Sequence, residues 1–204
     1  MLNKSILYIC MGLMVVASLG FIKGILPNPI PKYDKFPTYP LTELSGQLYD
    51  FENKKMKLIT FFYSRCPDIC PITINDLTKL HEELKKRDLL EHDIDILTIT
   101  LDPENDTEEV LKEYSEKFQI PLKEEWYFLR GTEEAITKLT DDLGFYREET
   151  GGYWSHSTTI YLVDYENRKR TFYQMSGPKE PLDIQRIIRD INLLKKEHKK
   201  VVNK

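Results

Sequence analysis

The stretch FFYSRCPDICPITINDLTKL, residues 61–80, is the most informative part of this chain. An apolar run ends at Tyr63, and then come Cys66 and Cys70, separated by three residues, with a proline directly after each thiol. Pro71 suits the first turn of a helix, where its missing N–H costs nothing. Apolar residues then recur at every third or fourth position. The stretch therefore predicts a strand, a short turn that carries two thiols, and a helix.

The rest of the chain alternates between strand and helix patterns. Strands are predicted at residues 57–63, 93–101, 126–129, 157–164 and 169–175, and helices after Pro71, after Asp106, at 132–143 and from Pro181 to about Lys195. A hairpin with a turn near Ser45-Gly46 is expected within residues 41–55. This alternation predicts an α/β fold in which helices flank both faces of a central mixed sheet.

The N-terminal segment predicts a single transmembrane helix at residues 5–26. Eighteen uncharged residues run from Ser5 to Ile22, which is the lower limit for a membrane span, and residues 24–26 could lengthen it. No small-x-small cleavage site follows the apolar core. We therefore expect an uncleaved signal-anchor, with residues 1–4 cytoplasmic and the following domain on the extracytoplasmic side of the cell membrane.

Composition and proline content divide the remainder of the chain. Residues 27–40 are proline-rich and predict a stiff linker, residues 41–195 one globular domain, and residues 196–204 a frayed basic tail. The net charge of −4 gives no positive field for nucleic acid. We expect a monomer that binds no nucleic acid.

The location of the thiol pair indicates a functional site but does not decide which kind of site it is. Loops at the carboxyl ends of central strands carry the functional sites of open α/β sheets, and a helix N-terminus favours thiolate over thiol. A thiolate is both the nucleophile of disulfide exchange and a ligand for soft metals. Cys66 and Cys70 are therefore compatible with an inert disulfide, a redox-active disulfide or a soft-metal site. Cys10, the third cysteine, belongs to the predicted membrane helix.

The four histidines are the candidates for a third ligand. His81 lies within the predicted helix after the thiols, His92 in a loop and His198 in the tail. His156 directly precedes a strand, where thioredoxin-like sheets present a cis-proline to the cysteine turn, and no proline occurs between Pro121 and Pro178. Two thiolates can bind Cu(I), and an added imidazole nitrogen would make the site accessible to Cu(II). Structural zinc would need four protein ligands.

Four motifs, in order, resemble the Sco/SenC family, thioredoxin-fold proteins that handle copper for cytochrome c oxidase assembly. They are FFYSRCPDICP, TITLDPENDTEEVLKEY, WYFLRGTEE and HSTTIYLVD, and the resemblance covers most of residues 41–190. It implies a thioredoxin-like fold, one copper ion bound by Cys66, Cys70 and His156, and cytochrome c oxidase subunit II as partner. Some members have Asp before the histidine, whereas this chain has Ser155.

These features lead to the hypothesis of a membrane-anchored copper metallochaperone that is not an enzyme. It would hold Cu(I) or Cu(II) and deliver it to the binuclear CuA site of the oxidase. The alternative is an extracytoplasmic thiol–disulfide oxidoreductase that uses Cys66 and Cys70 alone to reduce cysteines of the oxidase copper site. Among the neighbouring residues, Asp68 is expected to cap the turn. Asp102 and Asp106 are expected to shape their loop, and Trp154 and Met175 to pack in the core or at its rim.

Overall fold

The computed structural model describes residues 29–122 and 124–203. The predicted transmembrane segment at residues 5–26 and the cytoplasmic residues 1–4 lie outside these ranges. No helix within the described ranges is long and apolar enough to cross a membrane. The elements below belong to the compact unit that begins at Pro31.

Eight strands and five helices occur in the described residues. The strands are β1 (Thr42–Glu43), β2 (Met56–Phe62), β3 (Ile94–Thr100), β4 (Trp126–Arg130), β5 (Arg147–Thr150), β6 (Tyr153–His156), β7 (Thr159–Val163) and β8 (Lys169–Gln174). The helices are α1 (Ile69–Lys86), α2 (Leu90–Asp93), α3 (Glu108–Lys117), α4 (Glu133–Leu143) and α5 (Ile184–Val202).

The central sheet has six strands in the order β1-β4-β3-β2-β7-β8. Strands β2, β3 and β4 run parallel, whereas β1, β7 and β8 pair antiparallel with their neighbours. Every residue of β2 and β3 is buried, as expected for strands covered on both faces. The predicted mixed sheet is confirmed, and β2 is a central strand whose carboxyl end leads into the cysteine turn.

Helices cover both faces of the sheet because successive strand residues point to opposite sides. Phe61 belongs to the core on the side of α4, together with Ile136 and Leu139. Its neighbour Phe62 contacts Tyr114 of α3 on the other side, with 5.5 Å between ring centroids. Thr107 and Thr132 cap α3 and α4 by accepting backbone N–H groups, at the helix starts that the sequence predicts.

Strands β5 and β6 form a hairpin, separate from the central sheet, that the sequence analysis did not predict. Its turn is Gly151-Gly152, where φ is +61° and +86°. Two successive positive φ angles are required by the tight turns that join hairpin strands, and glycine adopts them without strain. The hairpin delivers His156 at the end of β6, opposite Arg147 of β5.

The described part of the predicted linker packs on the domain. Phe36 is buried, and its N–H donates to Asn167 O at 2.7 Å. Tyr33 N–H donates to Lys169 O at 2.9 Å. Residues 31–40 therefore lie against the edge of the sheet beside β8 and are part of the fold, rather than a stiff linker outside it.

Helix α5 continues to Val202, beyond the predicted end near Lys195, so the prediction of a frayed tail from residue 196 was wrong. Glu197 forms an ion pair with buried Arg170, with 2.7 Å between the charged atoms. The His198 ring stacks on Tyr165 at 3.9 Å between centroids. These contacts hold the last turns of the helix against the domain, which the charged sequence HKKVVNK does not reveal.

Candidate metal centre

The two thiols stand on the first turn after β2. Cys66 is half-buried in the loop, where its N–H donates to Tyr63 O at 3.2 Å. Cys70 is the second residue of α1 and is fully buried. Both cysteines are free thiols in this structure. The strand–turn–helix arrangement predicted from residues 61–80 is confirmed.

The two thiols differ in acidity because one donates a hydrogen bond to the other. The Cys70 thiol, the imidazole of His156, and the backbone N–H groups of Asp68 and Cys70 all interact with the Cys66 sulfur. These contacts outweigh burial and lower the pKa of Cys66 to about 4. The same hydrogen bond, together with burial and the nearby Cys66 charge, raises the pKa of Cys70. In the reduced state the pair therefore holds one thiolate and one thiol at neutral pH.

His156 reaches the thiols from the hairpin. Its Nε2 lies 4.0 Å from Cys70 Sγ, and its Nδ1 lies 2.7 Å from Ser157 O. A carbonyl can only accept, so Nδ1 carries a proton, and Nε2 is the ring nitrogen that faces the thiols. Phe145 stacks on the ring at 6.0 Å between centroids. The structure therefore brings together the three residues that the sequence singled out as ligands.

The three side chains do not yet form a closed coordination set. Within residues 29–122 and 124–203, no three His, Cys, Asp or Glu side chains stand in a geometry that already fits a metal ion. Asp68 occupies the N-cap position of α1, as expected of a capping residue, but its carboxylate makes no capping hydrogen bond. The backbone N–H groups of Asp68 and Cys70 face Cys66 instead.

Two carboxylates from the loop after β3 hold the residues that lead into Cys66. Asp106 is fully buried and accepts from the backbone N–H of Ser64 at 3.2 Å and from the hydroxyls of Ser64 and Thr100. Asp102 accepts from Arg65 Nη2 at 2.6 Å. The sequence predicts that these aspartates shape their own loop, but it does not predict that they fix the neighbouring cysteine loop. We call Asp102 and Asp106 the loop clamp.

The remaining histidines lie away from the thiols. His81 is buried against Trp126, and its Nε2 lies 2.8 Å from Glu124 O. His92 is exposed beside Glu91, and His198 packs on Tyr165. Of the four histidines, which are all described, His156 alone approaches Cys70 at hydrogen-bonding range.

A family model for SCO1/SenC matches residues 31–192. The chain belongs to the SCO1/SenC family. The SCO2-like protein of Rickettsia felis is 33% identical over 157 residues, which cover 71% of this chain and 72% of that protein. A putative copper-binding protein of Stutzerimonas stutzeri is 28% identical over 141 residues and 66% of each chain.

Solved structures share the fold. The crystal structure of a SCO1/SenC family lipoprotein from Bacillus anthracis has a TM-score of 0.71 at 25% identity, covering 83% of this chain and 98% of that one. BsSco, for which a disulfide switch is described, is a member of the Sco family of cytochrome c oxidase assembly proteins. Its TM-score is 0.68 at 22% identity, with 83% and 96% covered. The predicted thioredoxin-like architecture is thereby confirmed.

Within this SCO1/SenC chain, strand geometry explains two residues beside His156. Alternation along β6 places Ser155 on the face opposite to His156, where it pairs with Glu148. Trp154 shares the face of His156, and its ring packs under the Arg147 guanidinium at 4.4 Å. Met175 is buried, as expected.

The hairpin itself left a signal in the sequence. Residues 147–150 and 153–156 flank Gly-Gly, which is a recognised hairpin turn. Residues 147–150 are mostly charged, and the side chains of both strands are exposed or half-exposed, so the apolar alternation that marks a strand in a sheet is missing.

Proposed function

We propose that this protein is a copper metallochaperone, which binds one copper ion through Cys66, Cys70 and His156 and transfers it to a partner. The observation that carries the proposal is the meeting of two thiols and an imidazole nitrogen, with 4.0 Å between Cys70 Sγ and His156 Nε2. Soft sulfur ligands select Cu(I), and the imidazole suits Cu(II) as well. The copper-binding name of the Stutzerimonas stutzeri relative supports the same ion.

The spacing of Cys70 and His156 is compatible with a trigonal site. With metal–sulfur and metal–nitrogen distances of about 2.3 and 2.0 Å, two ligands at 120° stand roughly 3.7 Å apart. The observed 4.0 Å needs a shift of only a few tenths of an ångström. Copper binding would also displace the proton that Cys70 keeps, because only a thiolate ligates strongly.

A low-coordinate, half-exposed site suits delivery better than storage. An incoming ligand can attack the ion before an existing one leaves, so copper passes by stepwise exchange without being released to water. All three ligands come from one chain, and we therefore propose that the protein works as a monomer and as a carrier rather than an enzyme.

The recipient that we propose is the CuA site of cytochrome c oxidase subunit II. Its support is membership in the SCO1/SenC family, together with the solved relative from an oxidase assembly family. We further propose that residues 5–26 hold the domain at the extracytoplasmic face of the cell membrane, since this apolar segment is long enough to span a bilayer.

A thiol–disulfide oxidoreductase is the second candidate function, favoured by the low pKa of Cys66. The Cys66 thiolate would attack a substrate disulfide and form a mixed disulfide. Cys70 would then lose its proton and attack Cys66 Sγ. This releases the second substrate thiol and leaves an oxidised Cys66–Cys70 pair, two electrons having passed to the substrate. His156 is not required for this reaction.

The two functions are separated by copper titration of the reduced full chain carrying Cys10→Ser, beside the same protein with His156→Ala. The chaperone predicts a one-to-one Cu(II) complex with strong sulfur-to-copper charge-transfer absorption, which the His156→Ala variant loses. Weak Cu(II) binding that is equal in both proteins, together with rapid reduction of a disulfide substrate, would overturn the chaperone in favour of the oxidoreductase.

A further inference from the structure

The strand that carries His156 has no ladder of hydrogen bonds to the central sheet. Strands β5 and β6 pair only with each other among the described strands. The cysteines, in contrast, follow directly from the central strand β2 and enter α1. His156 lies three residues before the central strand β7, so the distance between imidazole and thiols depends on that covalent link and on the side-chain contacts between the hairpin and the body of the domain.

Arg147 makes the most extensive of these contacts. Its guanidinium donates to Leu101 O at 3.3 Å, to the carboxylate of Glu133 and to Thr137 Oγ1 at 3.4 Å. Leu101 follows β3, and the other two acceptors lie on α4. Only 10% of the Arg147 side chain is exposed. One residue of the hairpin thus spans two elements of the rigid body.

The connection from Arg147 to His156 is short. The two residues are directly opposite each other in the β5–β6 ladder, where Cβ atoms of paired residues stand about 4.5–5.5 Å apart. The guanidinium also lies 4.4 Å over the Trp154 ring, two residues before His156 on the same face of β6. A displacement of Arg147 therefore moves the strand segment that ends in the imidazole.

We propose that Arg147 is a positioning residue that holds His156 at the thiol pair and thereby determines whether the site takes Cu(II) with three ligands or only Cu(I) with two. This inference rests on the proposed copper-binding function. The guanidinium cannot itself be a ligand, since it remains protonated and has no acceptor atom. It acts on the metal through the hairpin.

The two oxidation states of copper give the role a specific signature. Cu(I) is satisfied by two thiolates, whose loop is held by the loop clamp. Cu(II) needs the imidazole nitrogen. Loss of Arg147 should therefore weaken Cu(II) binding and leave Cu(I) binding nearly unchanged, a split that general destabilisation of the fold would not produce.

The test uses the reduced full chain with Cys10→Ser, and the probes are aqueous Cu(II) and Cu(I) buffered by a competing chelator. Arg147→Met removes the guanidinium and keeps the length of the side chain, while Arg147→Lys keeps the charge but not the fork that reaches three acceptors. Arg186→Met is the matched control. Arg186 lies 5.1 Å over the Tyr173 ring and 3.8 Å from Asp190, on α5.

We expect Arg147→Met to lower Cu(II) affinity by about 10–100-fold, as losses of residues that orient a ligand typically do. Its sulfur-to-copper absorption and nitrogen hyperfine coupling should approach those of His156→Ala. Adding Arg147→Met to His156→Ala should cause little further loss. Arg147→Lys should be intermediate, and Cu(I) affinity should change by less than about threefold in every one of these variants. Arg186→Met should have the same Cu(I) and Cu(II) affinities and the same spectrum as the Cys10→Ser protein that retains both arginines.

The inference is overturned if Arg147→Met binds Cu(II) with unchanged affinity and spectrum, or if Cu(I) and Cu(II) affinities fall together. Arg147→Lys covers the case in which the methionine variant does not fold, because unchanged Cu(II) binding by a folded Arg147→Lys protein also contradicts the fork-based role. Failure of the proposed function is a separate result, namely the absence of a Cu(II)–thiolate complex in the protein that retains both Arg147 and His156.

Discussion

At the scale of single residues, Cys66 and Cys70 share one proton unequally. The half-exposed Cys66 keeps the negative charge because a thiol, an imidazole and two backbone N–H groups converge on its sulfur. The buried Cys70 keeps the proton. The exposed sulfur is therefore the one that first meets an incoming ion or disulfide, and the buried sulfur follows after losing its proton.

This asymmetry predicts the pH dependence of alkylation. In the reduced full chain with Cys10→Ser, the rate of iodoacetamide modification of Cys66 should have its inflection near pH 4, because the thiolate is the reacting form. In Cys70→Ala, loss of the thiol donor should move the inflection upward, toward the ordinary value of about 8.5. Peptide mass spectrometry after timed alkylation assigns each modification to its cysteine.

The control variant for the alkylation experiment is Cys66→Ala, in which Cys70 is the remaining thiol of the pair. It should alkylate slowly at neutral pH because Cys70 is buried. An inflection for Cys66 that stays in place in Cys70→Ala would show that the hydrogen bond between the thiols is not what lowers the pKa.

At the scale of elements, the loop clamp joins the loop after β3 to the loop after β2. Asp106→Ala should cost about 1–3 kcal/mol of unfolding free energy, since it leaves the half-buried Ser64 N–H and two hydroxyls without their acceptor. It should also remove hydrogen-exchange protection from residues 61–70. Chemical denaturation and hydrogen–deuterium exchange of the full chain measure the two effects.

Asp76→Ala is the control for this prediction. Asp76 is also a buried carboxylate, and it accepts from Ser176 Oγ at 2.8 Å and from Leu182 N–H at 3.2 Å, further along α1. It should cost a similar free energy but loosen residues 175–183 instead. Equal loss of protection in both segments in both variants would mean that the clamp acts on global stability alone.

The sequence predicts well those elements whose burial is regular. Local apolar runs predict the strands at residues 57–63, 93–101 and 126–129, and hydroxyl residues predict the caps of α3 and α4. All of these strands and caps are present. The β5–β6 hairpin was missed because β5 is charged and the side chains of both strands are exposed or half-exposed, so only the Gly-Gly turn marks it. The loop clamp was missed because its partners lie about 40 positions apart.

For the candidate site, the prediction identified the three residues that meet but not what holds them. Residue type and spacing indicated Cys66, Cys70 and His156, because the ability of a thiol or an imidazole to bind a metal is a property of the side chain itself. The contacts of Arg147 depend on how α4 packs beside the hairpin, which no local pattern encodes.

At the scale of the whole molecule, one buried cation makes stability depend on pH. Lys57 lies in β2 with its Nζ 2.7 Å from Phe51 O and 3.0 Å from Asn167 Oδ1. Burial lowers the pKa of Lys57 from 10.5 to about 8. Between these values the unfolded chain binds a proton that the folded chain has released, so this group makes stability rise with pH through the window from 8 to 10.5.

The prediction is that the unfolding free energy of the reduced protein, relative to that of Lys57→Met, increases from pH 7.5 to pH 10. The slope for one proton is at most about 1.4 kcal/mol per pH unit. Urea denaturation of both full chains at several pH values measures it. Thiols and tyrosines titrate in both proteins, so the difference isolates Lys57, and a difference that stays flat or falls with pH would contradict the assigned pKa.

The separation of Cys70 and His156 by 86 positions has a consequence for when the protein can be loaded. In an unfolded or newly made chain the thiol pair is already complete, because its members are four residues apart, whereas the imidazole is a distant, freely moving group. In the proposed function, Cu(I) would therefore be captured before folding ends, whereas the three-ligand Cu(II) site would be assembled only by tertiary structure. The colour of the Cu(II)–thiolate complex would then report correct folding of each copy, without any separate probe.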